Sequence, residues 1–200
     1  MSKFSEDVAR YKGYGASTVD CWFRPTLWVI AIYRLRNWVY VANPPWLIRF
    51  PLRAICVVAN MFFEVCMAME ISPRASIGGG FVIGHVGGVV ISQYAVIGKN
   101  CDIGHRVTIG ASSMGRPGAP TIGDNVYIGA GTTMTGKISI GDGAKIGANS
   151  LVLNDVPAGA TVMGVPARVF FAPRAAAPSV SMVEAEGPGD KPVPQGPSRV

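Results

Sequence analysis

The chain has 200 residues, 49% hydrophobic and 15% charged, enough apolar material for one domain with an extension. Its net charge of +6 favours anionic partners such as phosphates or a membrane surface. Nucleic acid is not an expected partner, because there is no RNP-like motif, zinc-finger spacing or Lys/Arg run.

The opening "MSKFSEDVARYKGYG" is polar and lacks the apolar core of a signal peptide. Residues 1–69 read as a helical region: Trp28, Ile32, Leu35 and Val39 recur at helical spacing, and Pro44-Pro45 separates a second helix. Arg34, Arg36 and Asn37 interrupt the first apolar stretch, and Asn60 and Glu64 the second. Neither therefore reaches the roughly 18 uninterrupted apolar residues of a spanning helix. Trp22, Trp28, Trp38 and Trp46 are expected in a core or subunit interface, with a membrane surface as the alternative. Cys21, Cys56, Cys66 and Cys101 form no CxxC and are expected as buried thiols of a reducing, cytoplasmic compartment.

From Ile71 an aliphatic residue returns every six positions: Ile71, Ile77, Ile83; Ile91, Ile97, Ile103; Ile109; then Ile122, Ile128, Met134, Ile140, Ile146 and Val152. Most are followed by glycine. Six is neither a helical nor a strand period. It fits one flat wall plus one corner of a triangular solenoid, three hexads to a coil, with coils stacked about 4.8 Å apart. The solenoid is expected over 70–171. Two longer spacings, Ile83 to Ile91 and Ile109 to Ile122, must protrude as loops. The Pro-, Ala-, Gly- and Ser-rich segment 172–200 is expected to be a disordered tail.

His85 and His105 both occupy the third position of a hexad. They are 20 residues apart, one coil of eighteen plus the two inserted residues, so they fall on one face of adjacent coils. Three readings stand: independent surface histidines, a shared metal site, or a catalytic base suited to proton transfer near neutral pH. No cysteine or carboxylate shares their register, and no metal is expected.

"EISPRASIGGGFVIGHVGGVVIS" and "PTIGDNVYIGAGTTMTGKISIGDGAKIGANSLVLNDVPAGATVMGVPARV" resemble the hexapeptide-repeat acyltransferases of the serine acetyltransferase superfamily. The resemblance covers residues 70–170. It implies a left-handed parallel β-helix with an N-terminal helical extension, a homotrimer with sites between subunits, and acetyl-CoA as donor. It also implies that His85 acts as general base with Glu70, fifteen positions upstream, as its acidic partner. Ala130, Lys145 and Ala148 would line the CoA groove, with Arg168 and Arg174 as further phosphate-binding candidates.

Three positions depart from the serine-specific pattern. Gly84 stands where serine acetyltransferases carry an Asp before the histidine, and Gly118-Ala119 stand where they carry Arg-His before proline. The expected acceptor is therefore a neutral sugar hydroxyl in polysaccharide biosynthesis, bound by His105 and Arg116. Serine O-acetyl transfer is the alternative, and a non-catalytic scaffold the competing class. In a trimer, three basic, aromatic N-terminal regions would lie together, and peripheral contact with the inner face of the membrane is expected there.

Overall fold

A computed structural model describes residues 2–113, 115 and 117–170. Arg116, Arg174 and the expected disordered tail lie outside the described residues. Four helices come first: α1 (Lys3–Gly13), α2 (Thr18–Phe23), α3 (Pro25–Ala42) and α4 (Trp46–Met67). Ser2 and Ser17 cap the first two, Ser17 forming a reciprocal box with Asp20. Pro25 opens α3 at a position where its missing N–H costs nothing.

The remaining described chain winds through three parallel walls. The first contains Glu70–Ile71, Val90–Ile91, Thr108–Gly110, Thr133–Thr135 and Leu151–Val152. The second contains Ser76–Ile77, Val96–Ile97, Thr121–Ile122 and Ser139–Ile140. The third contains Val82–Ile83, Asp102–Ile103, Tyr127–Ile128, Lys145–Ile146 and Thr161–Gly164, and is closed by the antiparallel Ala167–Phe170. Each aliphatic hexad residue pairs with its counterpart one coil away, as in Ile83 with Ile103 and Ile103 with Ile128. From Ile71 to Val152, all thirteen are at most 3% exposed, so they form the continuous internal columns that the spacing predicts.

Corners need left-handed backbone, and Asn125 (φ 58°) and Asn149 (φ 55°) supply it with a residue type that tolerates the region. The second inserted loop is pinned by paired backbone bonds between Ser112 and Gly118 (2.8 and 2.9 Å).

The first coil has no preceding coil to pair with, and the helices supply its partners. The Tyr11 hydroxyl donates to Ile83 O (2.9 Å) and accepts from Ile83 N–H (3.0 Å), replacing a neighbouring strand. Burial pushes the Tyr11 phenol above its ordinary range, so it remains a donor. Tyr33 donates to Ala75 O (2.7 Å), Asn37 to Pro73 O (2.9 Å) and Arg34 to Ile77 O (2.7 Å). Asp7, fully buried, accepts two bonds from Arg34 (2.9 and 3.0 Å) and one from Phe81 N–H (2.8 Å). A solenoid end left bare would expose an unpaired strand edge on each wall.

Trp22, Trp28, Trp38 and Trp46 are 44–70% exposed in the single chain, which removes the core from the places expected for them and leaves the subunit interface and the membrane surface. The buried face of α3 is carried by Leu27, Val29, Ile30, Tyr33 and Val39, so of the stripe through Trp28 only Val39 is fully buried. Two further expectations for the helical region are corrected. Cys66 is exposed, whereas Cys21, Cys56 and Cys101 are buried, and all four are free. Burial pushes the Cys101 thiol up to about 11, which keeps it an inert thiol. The second apolar stretch begins at Trp46, and its 22-residue helix is long and apolar enough, by length and composition, to cross a membrane.

The Asp7 cluster gives the first prediction. Asp7→Ala leaves the Arg34 guanidinium and Phe81 N–H without their buried acceptor and should cost about 3–5 kcal/mol. Urea unfolding would measure it; a loss below about 1 kcal/mol would mean that this end of the solenoid holds without the clamp.

Candidate active site

The hexad that places Ile83, Ile103, Ile128 and Ile146 inside the third wall also places the residues two positions on. The register stacks His85, His105, Ala130 and Ala148 in one column at the corner following that wall. Three coil steps separate His85 from Ala148, about 14 Å along the axis. Glycines let the coils approach beneath this column. A Cβ on Gly104 would lie 2.6 Å from Ala130 N, and one on Gly129 2.6 Å from Ala148 N. A parallel outward column on the same wall runs Val82, Asp102, Tyr127 and Lys145.

The two histidine rings lie with centroids 6.0 Å apart and planes at 76°, edge to face. His85 is exposed on the first inserted loop, which is held to the next coil by Arg106 N–H donating to Gly87 O (2.8 Å). His105 is half-buried, and its Nδ1 is a buried side-chain polar atom with no hydrogen-bond partner among the described residues. A nitrogen in that condition favours an added donor or acceptor beside it.

Both histidines open into a cleft of about 370 Å³ with Ala130 on the same wall. Sequence reasoning missed four of its lining residues: Tyr14, Arg24, Asp102 and Tyr127. Asp102 accepts from Arg10 (2.7 Å) and from the Tyr14 hydroxyl (2.9 Å), so α1 is pulled over the cleft. Partial desolvation, then the hydrogen bond and charge of Asp102, hold the Tyr14 phenol above its ordinary range. The signal for Asp102 and Tyr127 was present, since the register that stacks the histidines also stacks the outward residue before each Ile.

Glu70 begins the first wall, exposed, and its N–H donates to Val89 O (2.8 Å) at the end of the loop that carries His85. Among the described residues no hydrogen bond joins Glu70 to His85. The imidazole stands edge to face with His105, while the Glu70 carboxylate lies within the electrostatic reach of Arg36. Lys145 is exposed beside the alanine column, and Arg168 is exposed opposite Met163 on the closing antiparallel strand. Histidines, small alanines and a lysine thus follow one wall. Among the described residues, no group of three metal-ligating side chains accompanies them.

A family model described as bacterial transferase hexapeptide (six repeats) matches residues 119–154. The serine acetyltransferase of Mycobacterium tuberculosis is 42% identical over 126 residues, 62% of this chain and 55% of that protein. The soybean serine acetyltransferase complexed with serine superposes with a TM-score of 0.71 at 34% identity, covering 84% of this chain and 68% of that one. The chain belongs to the hexapeptide-repeat acyltransferases. It falls within the serine acetyltransferase superfamily, and the coil domain is the left-handed parallel β-helix of those enzymes. A serine acetyltransferase in complex with CoA superposes with a TM-score of 0.61 at 34% identity, over 72% of this chain and 56% of that one. This hexapeptide-repeat chain spans little more than half the length of the curated relatives it matches, 55% of the Mycobacterium protein.

The Arg10–Asp102–Tyr14 cluster yields a prediction independent of catalysis. The Arg10–Asp102 pair is partly exposed, with side chains 25% and 21% accessible, so Asp102→Ala should cost at most about 1 kcal/mol. The Tyr14 phenol should meanwhile fall toward its ordinary range as its acidic neighbour disappears. Urea unfolding and ultraviolet phenolate titration would read both; an unmoved Tyr14 titration would separate it from Asp102.

Proposed function

We propose that the chain is an acetyl-CoA-dependent O-acetyltransferase. The observation that carries this reading is the single column of His85, His105, Ala130 and Ala148 along one wall, with the cleft at its histidine end. In the proposed reaction the acceptor hydroxyl gives its proton to the His85 imidazole as its oxygen attacks the thioester carbonyl. The C–S bond then breaks, and the CoA thiolate takes a proton as it leaves. His105 holds the acceptor, its unpartnered Nδ1 offering the free hydrogen-bonding atom. Glu70, at the foot of the same loop, is the acidic partner that would orient His85 and stabilise the imidazolium.

Ala130 and Ala148 leave room for the pantetheine arm close to the backbone, and Lys145 and Arg168 meet CoA phosphates. The relative in complex with CoA supports this donor. His85, Tyr127, Lys145 and Ala148 all face solvent on one wall, which suits a homotrimer whose neighbouring subunit closes the groove. A cytoplasmic location, where acetyl-CoA is at hand, fits this reading.

The relatives' names favour L-serine as the acceptor over the sugar that the sequence departures suggest. One observation keeps the saccharide reading as the second. Gly84 is exposed with negative φ, and the nearest atom to an added Cβ is Ile103 O at 3.7 Å. Packing leaves room for an acid there, and the chain carries none.

Acetyl-CoA-dependent thiol release, with L-serine and a panel of saccharides as acceptors, tests this reading. His85→Ala should lower kcat about 10²–10⁴-fold with the productive acceptor. Gly84→Asp should fold normally and raise serine turnover relative to saccharide turnover. Serine turnover in the parent chain makes it a serine O-acetyltransferase despite Gly84; turnover of saccharides alone makes the sugar the acceptor. Full activity in His85→Ala would remove the proposed base.

A further inference from the structure

The helix α4 packs one side against α3 and leaves the rest bare. Only 6% of its most apolar 18-residue window is buried. Phe50, Ile55, Val58, Met61, Phe62 and Val65 are 56–78% exposed, and at 100° per residue they spread over roughly 140° of the outward face. No charged side chain lies within that arc; Arg53 and Glu64 sit at its margin. An exposed apolar surface this continuous needs an occupant.

We propose that α4 embeds its outward face in the interfacial layer of an anionic lipid bilayer and anchors the enzyme to it. Charge complementarity favours lipid as the occupant. Residues 1–69 carry eight Lys/Arg and four Asp/Glu, a net +4 of the chain's +6. Among the described residues Lys12, Arg24, Arg49 and Arg53 have no carboxylate within ion-pair distance. Arg49 and Arg53 follow Trp46 in the first two turns of α4, a basic-aromatic end of the kind that settles among headgroups.

The capping contacts fix the orientation. Tyr33, Arg34 and Asn37 fasten α3 across the open end of the solenoid, and α4 lies against α3 as the next layer out. A spanning orientation, about 33 Å long for 22 residues, would have to lift α4 off α3. Lying flat, it buries the apolar face to the depth of an interfacial helix and leaves the solenoid, with its cleft, in water.

Flotation of the full-length protein tests the proposal, with vesicles of phosphatidylcholine alone and of phosphatidylcholine with phosphatidylglycerol. The parent chain should float with the anionic vesicles. The double variant Val58→Asp, Phe62→Asp, substituted at exposed positions, should keep its circular dichroism spectrum and bind about tenfold less or weaker still. Arg49→Gln with Arg53→Gln should lose the preference for anionic over neutral vesicles. A parent chain that floats with neither vesicle overturns the proposal. So does a double variant that floats undiminished. If the parent fails to float and the double variant has a lower mass in light scattering, the face belongs to a second copy of the chain. These readouts do not involve acetyl transfer, so their failure would leave the proposed reaction standing.

Discussion

The molecule depends on one constraint, that every coil repeats in register with the next at strand spacing. Each aliphatic hexad residue meets its counterpart above and below, so Ile83, Ile103, Ile128 and Ile146 form a dry column. The same register must order whatever the chain places at the corners. Two histidines and two alanines therefore become one groove without any dedicated framework. The glycines between them are part of that constraint, because a Cβ at Gly104 or Gly129 would collide with the backbone of the next coil.

A stacked solenoid has ends, and the first end shapes the rest of the chain. Tyr11, Asp7, Tyr33, Arg34 and Asn37 pair with the edge of the first coil, which holds α1 and α3 across it. Two consequences follow from this one solution. The α1 helix is carried to the rim of the cleft, where Arg10 and Tyr14 grip Asp102. The α4 helix is displaced one layer outward, with one side against α3 and its outward face without an apolar partner among the described residues.

The sequence revealed the solenoid and the histidine column because both depend on counting. A period of six needs no tertiary information, and the twenty-residue spacing of His85 and His105 converts directly into adjacency. The capping contacts were hidden because they join side chains to backbone atoms some 40 to 70 residues away, as Tyr33 does with Ala75 and Tyr11 with Ile83. The spacing of Trp28, Ile32, Leu35 and Val39 marks a helix without marking its buried face, because α3 is apolar on several faces and the position of the first coil selects Leu27, Ile30 and Tyr33 for burial. Counting Asn60 and Glu64 as interruptions concealed the length of α4, although Asn60 lies on its half-buried side and Glu64 at the margin of its bare face. The Glu70–His85 pairing came from resemblance rather than from the repeat.

The central claim is that the register places donor and acceptor in one groove along the third wall. A crystal structure of the full chain with CoA bound tests it most directly. The account predicts the pantetheine arm along Ala130 and Ala148, the phosphates toward Lys145 or Arg168, and the thiol beside His85 and His105. CoA bound on another wall, or with its thiol at the far end of the column from the histidines, would contradict it.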